Sequence, residues 1–182
     1  DLNVDPFTAG IEIVVTNECN EILPLTGNKF DVKFLRPINV VDLKSAELKD
    51  ATTGTAKIDM SKLLGLTDWR GEAFAVEPID FYTYYGIEGA TAISIDKDKI
   101  MTTLNASEAA PKLLKDVAPN MSIDYACDLK KSGNDITYGD LVYANGKFTI
   151  NAPFKLFIPV TVKYTFGEVT STVTLTITPT HD

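Results

Sequence analysis

The residues best equipped for chemistry are few and scattered along this chain. The single histidine, His181, stands next to the last position. Ser-His-Asp and Cys-His acyl transfer need an imidazole held rigidly beside a nucleophile, and a terminal position is a poor place to hold one. Cys19 and Cys127 lie far apart with no C-x-x-C spacing, so the sequence spells neither a dithiol redox motif nor a closed zinc set. Parity places Ile11, Ile13, Val15 and Cys19 on one strand face, and Met121, Ile123, Tyr125 and Cys127 on another. Both thiols are therefore expected to point inward, either bridged or as two buried free thiols. A bridge would close a loop of more than a hundred residues, for which chain entropy gives about 4.7 kcal/mol.

Carboxylates are more plentiful. Asp96 and Asp98 in "SIDKDKI", with Asp124, Asp128 and Asp135 in "DYACDLKKSGND", are the hard oxygen ligands that calcium takes at loop tips. No EF-hand spacing organises them. Asp96 and Asp98 alternate with Ile93 and Ile95 as a solvated strand face would, and Lys97 and Lys99 offset their charge. We expect no metal site, no cofactor and no catalytic residue. With 25 acids in the chain, some pair of carboxyls at glycosidase spacing stays open, and a carbohydrate-active enzyme is the alternative that this leaves.

Aromatic residues are the remaining chemistry. "PIDFYTYYGI" puts Phe81, Tyr82, Tyr84 and Tyr85 within five positions. On an extended strand Phe81, Thr83 and Tyr85 face one way, and Tyr82 and Tyr84 the other. The rings are then divided between two faces and make no single flat platform; packing is their expected role. Where a ligand such as a sugar does bind, the candidates are Tyr82, Tyr84 and the lone Trp69 in "TDWRGE", which lies beside a turn.

The elements that must position these residues are strands. In "FKLFIPVTVKYTFGEVTSTVTLTI", Leu156, Ile158, Val160, Val162, Tyr164 and Phe166 share one parity, with Lys155, Phe157, Thr161, Lys163 and Thr165 on the other. After Gly167 the pattern resumes with Val169, Val173, Leu175 and Ile177 in and threonines out. Such sustained period two predicts a β-hairpin with one buried face, Pro159 marking an edge or a bulge. Further strands are predicted over 11–16, 30–35, 46–49, 56–59, 81–85, 92–96, 121–128, 135–138, 141–143 and 147–151. Asn145-Gly146 signals a hairpin between the last two. One helical turn is expected in "DMSKLLGL", capped by Asp59 or Ser61 and stopped at Gly65, and another in "SEAAPKLLKDV".

Short strands separated by Gly, Pro, Asn and Asp predict an all-β, Ig-like or Greek-key sandwich with one or two short helices. We read residues 1–182 as one elaborated domain with a candidate seam near 105–120. Its 182 residues, 45% hydrophobic, suffice for a real core. The net charge of −8, with the acidic excess in the first ninety residues, repels phosphate backbones and argues against nucleic acid. No apolar run nears the roughly 18 residues of a membrane span, so no direct membrane insertion of this chain is expected.

Taken together, "TDWRGEAF", "FYTYYGI", "ISIDKDKIMTTLN", "DITYGDLVYANGKFTI" and the terminal hairpin resemble an Ig-like module of secreted surface proteins and lipoproteins of gut Bacteroidetes. The likeness runs from about Arg36 to Ile177 and departs at Phe166, where the pattern has tryptophan. It implies an extracellular or cell-surface location, often downstream of a lipid anchor, and a non-catalytic binding or spacer role. The implied partners are a glycan or another surface protein, in adhesion or glycan recognition. A pilin-like subunit that assembles by strand addition is the other alternative, with "DLNVDPFTAGIEIVV" as the segment that would reveal it.

Overall fold

The structure, a computed structural model, describes residues 7–35, 37–51, 54–68, 70–72, 85–87, 89–104, 110–132, 135–146 and 150–180. In chain order its strands are β1 (Phe7–Glu12), β2 (Val15–Thr16), β3 (Ile22–Leu23), β4 (Lys29–Phe34), β5 (Ile38–Asp42), β6 (Glu47–Ala51), β7 (Thr55–Asp59) and β8 (Leu64–Asp68). They continue with β9 (Ile93–Ile95), β10 (Met101–Thr103), β11 (Lys112–Leu113), β12 (Ser122–Tyr125), β13 (Lys130–Ser132), β14 (Asp135–Thr137), β15 (Asp140–Ala144), β16 (Phe154–Tyr164) and β17 (Gly167–Thr180). A four-residue helix, α1 (Leu114–Val117), and two 3-10 turns, Met60–Lys62 and Lys97–Lys99, interrupt them. The fold is all-β and sandwich-like.

The hairpin β16–β17 is its spine. From Phe154 to Tyr164 burial alternates as the sequence does, with Leu156, Ile158, Val160 and Val162 fully inaccessible. Across the ladder Val162 opposes Val169, and Ile158 opposes Val173. The largest sheet among the described residues runs β11-β10-β16-β17-β6, with β9 also on β16. The β17–β6 pairing is parallel, so the chain returns beside its own early strand only at the end. Such a closure needs a long connection, here nearly the whole sandwich.

Pro159 sits inside this sheet, not at its rim. Its carbonyl accepts the Asp96 amide at 3.2 Å, which places its absent N–H on the same side. There β16 passes from β9 (opposite 160–162) to β10 (opposite 155–157), so no ladder bond is missed. A second sheet, β12-β15-β7, supplies Ile123, Leu141, Tyr143 and Ile58 to the same buried cluster as Leu156, Ile158 and Val160. The β5–β8 pair joins it through Ile38, Leu64 and Leu66. The Asp42 carboxylate ties β5 to β17, accepting the Thr174 amide at 3.1 Å and its hydroxyl at 2.9 Å.

Several local expectations change. Both edges of β15 are occupied, by β12 and β7, and most of the predicted strand 147–151 lies outside the described residues. Gly146 turns with φ +64 against Asn120, and a Cβ there would lie 1.7 Å from the Asn120 carbonyl oxygen. Asp59 caps the Met60–Lys62 turn through the Ser61 amide at 2.8 Å, but Gly65 lies inside β8, not at a helix end. Phe166 shares the inward parity yet is 50% exposed, because Thr165 and Phe166 form the hairpin turn itself and leave the pleat. Of the predicted strand 81–85 only Tyr85 is described, and its backbone is helical.

Candidate interaction surface

Trp69, Tyr82 and Tyr84 lie outside the described residues, so the ligand-binding role read for them has no geometry here. The residues flanking Trp69 form a tight turn. Asp68, at the end of β8, accepts the Arg70 and Glu72 amides at 2.8 and 3.1 Å through Oδ1, while Arg70 Nε donates to Oδ2 at 2.7 Å. Burial pushes the Asp68 carboxyl up, but the Arg70 hydrogen bond and the two amides outweigh it and hold it below its ordinary value. Tyr85, the described end of the other aromatic segment, is tied to the core hairpin. Its carbonyl accepts the Thr165 amide at 2.7 Å and hydroxyl at 2.9 Å.

The aspartates weighed as calcium ligands are dispersed by lysines. Asp124 pairs with Lys97, Asp96 with Lys99 at 2.9 Å, Asp98 with Lys115 at 3.4 Å, and Asp128 with Lys130. Asp96 also caps its 3-10 turn and accepts the Asp98 amide, so the pair sits on a turn and not on a strand face. Asp135 opens β14. Among the described residues no group of three His, Cys, Asp or Glu side chains is placed to hold a metal, and no helix is long and apolar enough to cross a membrane.

The two thiols part company. Cys127 is buried, as its parity predicts, whereas Cys19 is exposed and both are free. Cys19 leaves the strand face because it sits in a turn organised by Asn17. The Asn17 side chain accepts the Cys19 and Glu21 amides at 2.9 and 3.0 Å and donates to Glu21 at 2.7 Å. This turn is the tip of the largest exposed apolar feature in the described structure.

Below the tip, β1 and β4 pair in register with Phe7 opposite Phe34, Ala9 opposite Val32 and Ile11 opposite Phe30. All six are apolar and lie on one face. The reverse face pairs Thr8 with Lys33, Gly10 with Asp31 and Glu12 with Lys29, the last an ion pair at 3.7 Å. Phe7 and Phe34 stack at 4.6 Å and 11°. The ribbon continues through Ile13, whose amide donates to Asn28 at 2.9 Å, to the short β2–β3 pair, where Val15 opposes Leu23. No residue from 7 to 35 is buried. Phe7, Ile11, Phe30 and Phe34 remain 40–47% accessible, and Ile22 reaches 72%.

A two-stranded ribbon on its own is marginal in water, and one with an uncovered apolar face invites a partner. Strands over 11–16 and 30–35 are predicted from sequence, and the parity of Ile11, Ile13 and Val15 predicts an inward face; the structure leaves all three exposed. The same parity with the flanking Asn and Gly turn residues was the available signal; it shows that a face must be covered and not by what.

A second unusual group is internal. Asp50 on β6 and Asn145 are 2% and 3% accessible, with Asn145 Nδ2 3.4 Å from Asp50 Oδ2. Among the described residues Asp50 Oδ1 and Asn145 Oδ1 have no partner. Burial raises the Asp50 carboxyl above its ordinary value, against hydrogen bonds from Asn145 and Tyr143 that lower it. It also raises the Tyr143 phenol, with the neighbouring Asp50 charge adding to the effect. This is a buried polar contact between β6 and the end of β15, not an open site.

No protein-family model, curated protein or solved structure matches the chain.

Proposed function

We propose that the chain is a non-catalytic binding or spacer module of an exported cell-surface protein, and that it makes its contacts through the β1–β4 ribbon. The observation that carries this is the bare apolar face of Phe7, Ile11, Phe30 and Phe34, on a chain whose sandwich strands bury a large apolar cluster of their own. Exposed apolar surface of this extent on an otherwise acidic chain is kept where it is used in recognition. The scarcity of catalytic nucleophile and base combinations, with one histidine in the whole sequence, favours binding over turnover.

Strand addition loses its simplest form, because the described part of the segment that would donate, Phe7–Glu12, is already paired with Lys29–Phe34 in the same chain. Surface placement can be read from the two thiols. A membrane-impermeant maleimide added to intact producing cells should modify exposed Cys19 and spare buried Cys127. Labelling that occurs only after lysis overturns the exported reading. Turnover of any member of a glycan panel, lost on changing one Asp or Glu, overturns the non-catalytic one.

A further inference from the structure

We infer that the apolar ribbon face is covered by the same face of a second copy, giving a two-fold dimer; this rests on the ribbon being the contact surface, as proposed above. Three features of the ribbon favour its own kind as occupant.

The first is area. A large side chain left 40–50% accessible exposes roughly 60–100 Å². Phe7, Ile11, Ile13, Phe30 and Phe34, with Val15 and Leu23 beyond them, then offer on the order of 600 Å² per copy. Two such faces bury about 1,200 Å², the lower end of what specific interfaces use.

The second is charge. The chain carries −8 overall, so two copies repel one another in general. The ribbon stem is an exception. Its apolar face has no charged side chain, and its reverse face balances Glu12 and Asp31 against Lys29 and Lys33. Excess acid returns only near the tip, at Glu18 and Glu21, which favours an arrangement that keeps the two tips apart.

The third is shape. The large pairs Phe7/Phe34 and Ile11/Phe30 flank a waist formed by Ala9 and Val32. Two waisted, twisted ribbons fit when they cross near a right angle, so that the small residues meet and the aromatic ends clasp the partner's stem. That contact is isologous and closes at two copies. The Cys19 tips then lie apart, and the dimer needs no disulfide.

The test is the solution mass of the protein by sedimentation or light scattering, in reductant, across about 1–100 µM. We expect a dimer that dissociates in the micromolar range. Phe7→Ser with Phe34→Ser should weaken it at least tenfold, whereas Lys33→Ser on the reverse face should leave it unchanged. All three positions are exposed, so the melting of the sandwich should hold within about 2 °C in each variant. A monomer throughout the range, a dimer indifferent to the two phenylalanines, or a dimer that reductant dissolves overturns the inference. A monomer that is nevertheless labelled at Cys19 on intact cells refutes self-association alone and leaves the surface-module reading standing.

Discussion

Val162 provides the strictest test of how the core hairpin is built. It is fully inaccessible and flanked on both sides within one sheet, by Val169 on β17 and Ile93 on β9. Val162→Ala removes two methyl groups, worth about 1.6 kcal/mol of transfer free energy. The neighbouring strands are held by ladder bonds and cannot close the gap. An unfilled volume on the order of 50 Å³ then adds about 1.2 kcal/mol, for a total near 3 kcal/mol. In a chain of this length each kcal/mol lowers the midpoint by roughly 2–4 °C, so the variant should melt about 6–12 °C lower. Its neighbour Thr161 points the other way, half-exposed, with its hydroxyl 2.8 Å from that of Thr170. Thr161→Ala forfeits one accessible hydrogen bond and should cost no more than about 0.5 kcal/mol. Calorimetry of the two variants against the parent decides the matter. Equal shifts would mean that both faces of β16 are covered, and the one-sided register would be wrong, since a pleated strand cannot be half out of register.

Two further expectations come from the interior. Because burial raises the Asp50 carboxyl, the folded state binds its proton more tightly than the unfolded chain; stability then falls as pH rises through the folded value and is relieved below the ordinary carboxylate range. Asp50→Asn should therefore raise the melting temperature near pH 7 and lose that advantage on acidification, and a difference that is constant with pH refutes the assignment. Gly146→Ala should cost more than about 2 kcal/mol, from the left-handed backbone and the collision with Asn120. Denaturant midpoints check it, and a neutral result would show that the 145–146 turn does not pack on Asn120.

How much of this was readable from residues alone depends on whether a partner had to be known. The β16–β17 alternation was legible because eleven consecutive positions obey it and nothing but a sheet face explains them. The strands β5 and β8 went unread. "INVVD" and "LGLTD" are five residues each, and β8 runs on from a helical turn, so neither has the length to show a period. Asn145-Gly146 carries a second physical meaning. The left-handed conformation that suits a hairpin also suits any close approach of backbone to backbone, and here the neighbour is Asn120. Phe166 misled, since parity stops having meaning once the chain turns.

The ribbon is the instructive comparison with the spine. Phe7, Ala9 and Ile11 against Phe34, Val32 and Phe30 form the same one-sided apolar hairpin as Leu156, Ile158 and Val162 against Leu175, Val173 and Val169. Local sequence makes the two equivalent. They differ only in what lies above them, because β7, β12 and β15 help to cover the second and no described strand covers the first. Periodicity states that a face requires cover, while topology decides whether the same molecule can supply it. Among the described residues no strand after β4 pairs with the ribbon; they pair with one another in the sandwich. An apolar face that no described strand covers is therefore either a standing cost in solution or a surface completed by association, and the second is the one that measurement of the protein's mass can decide.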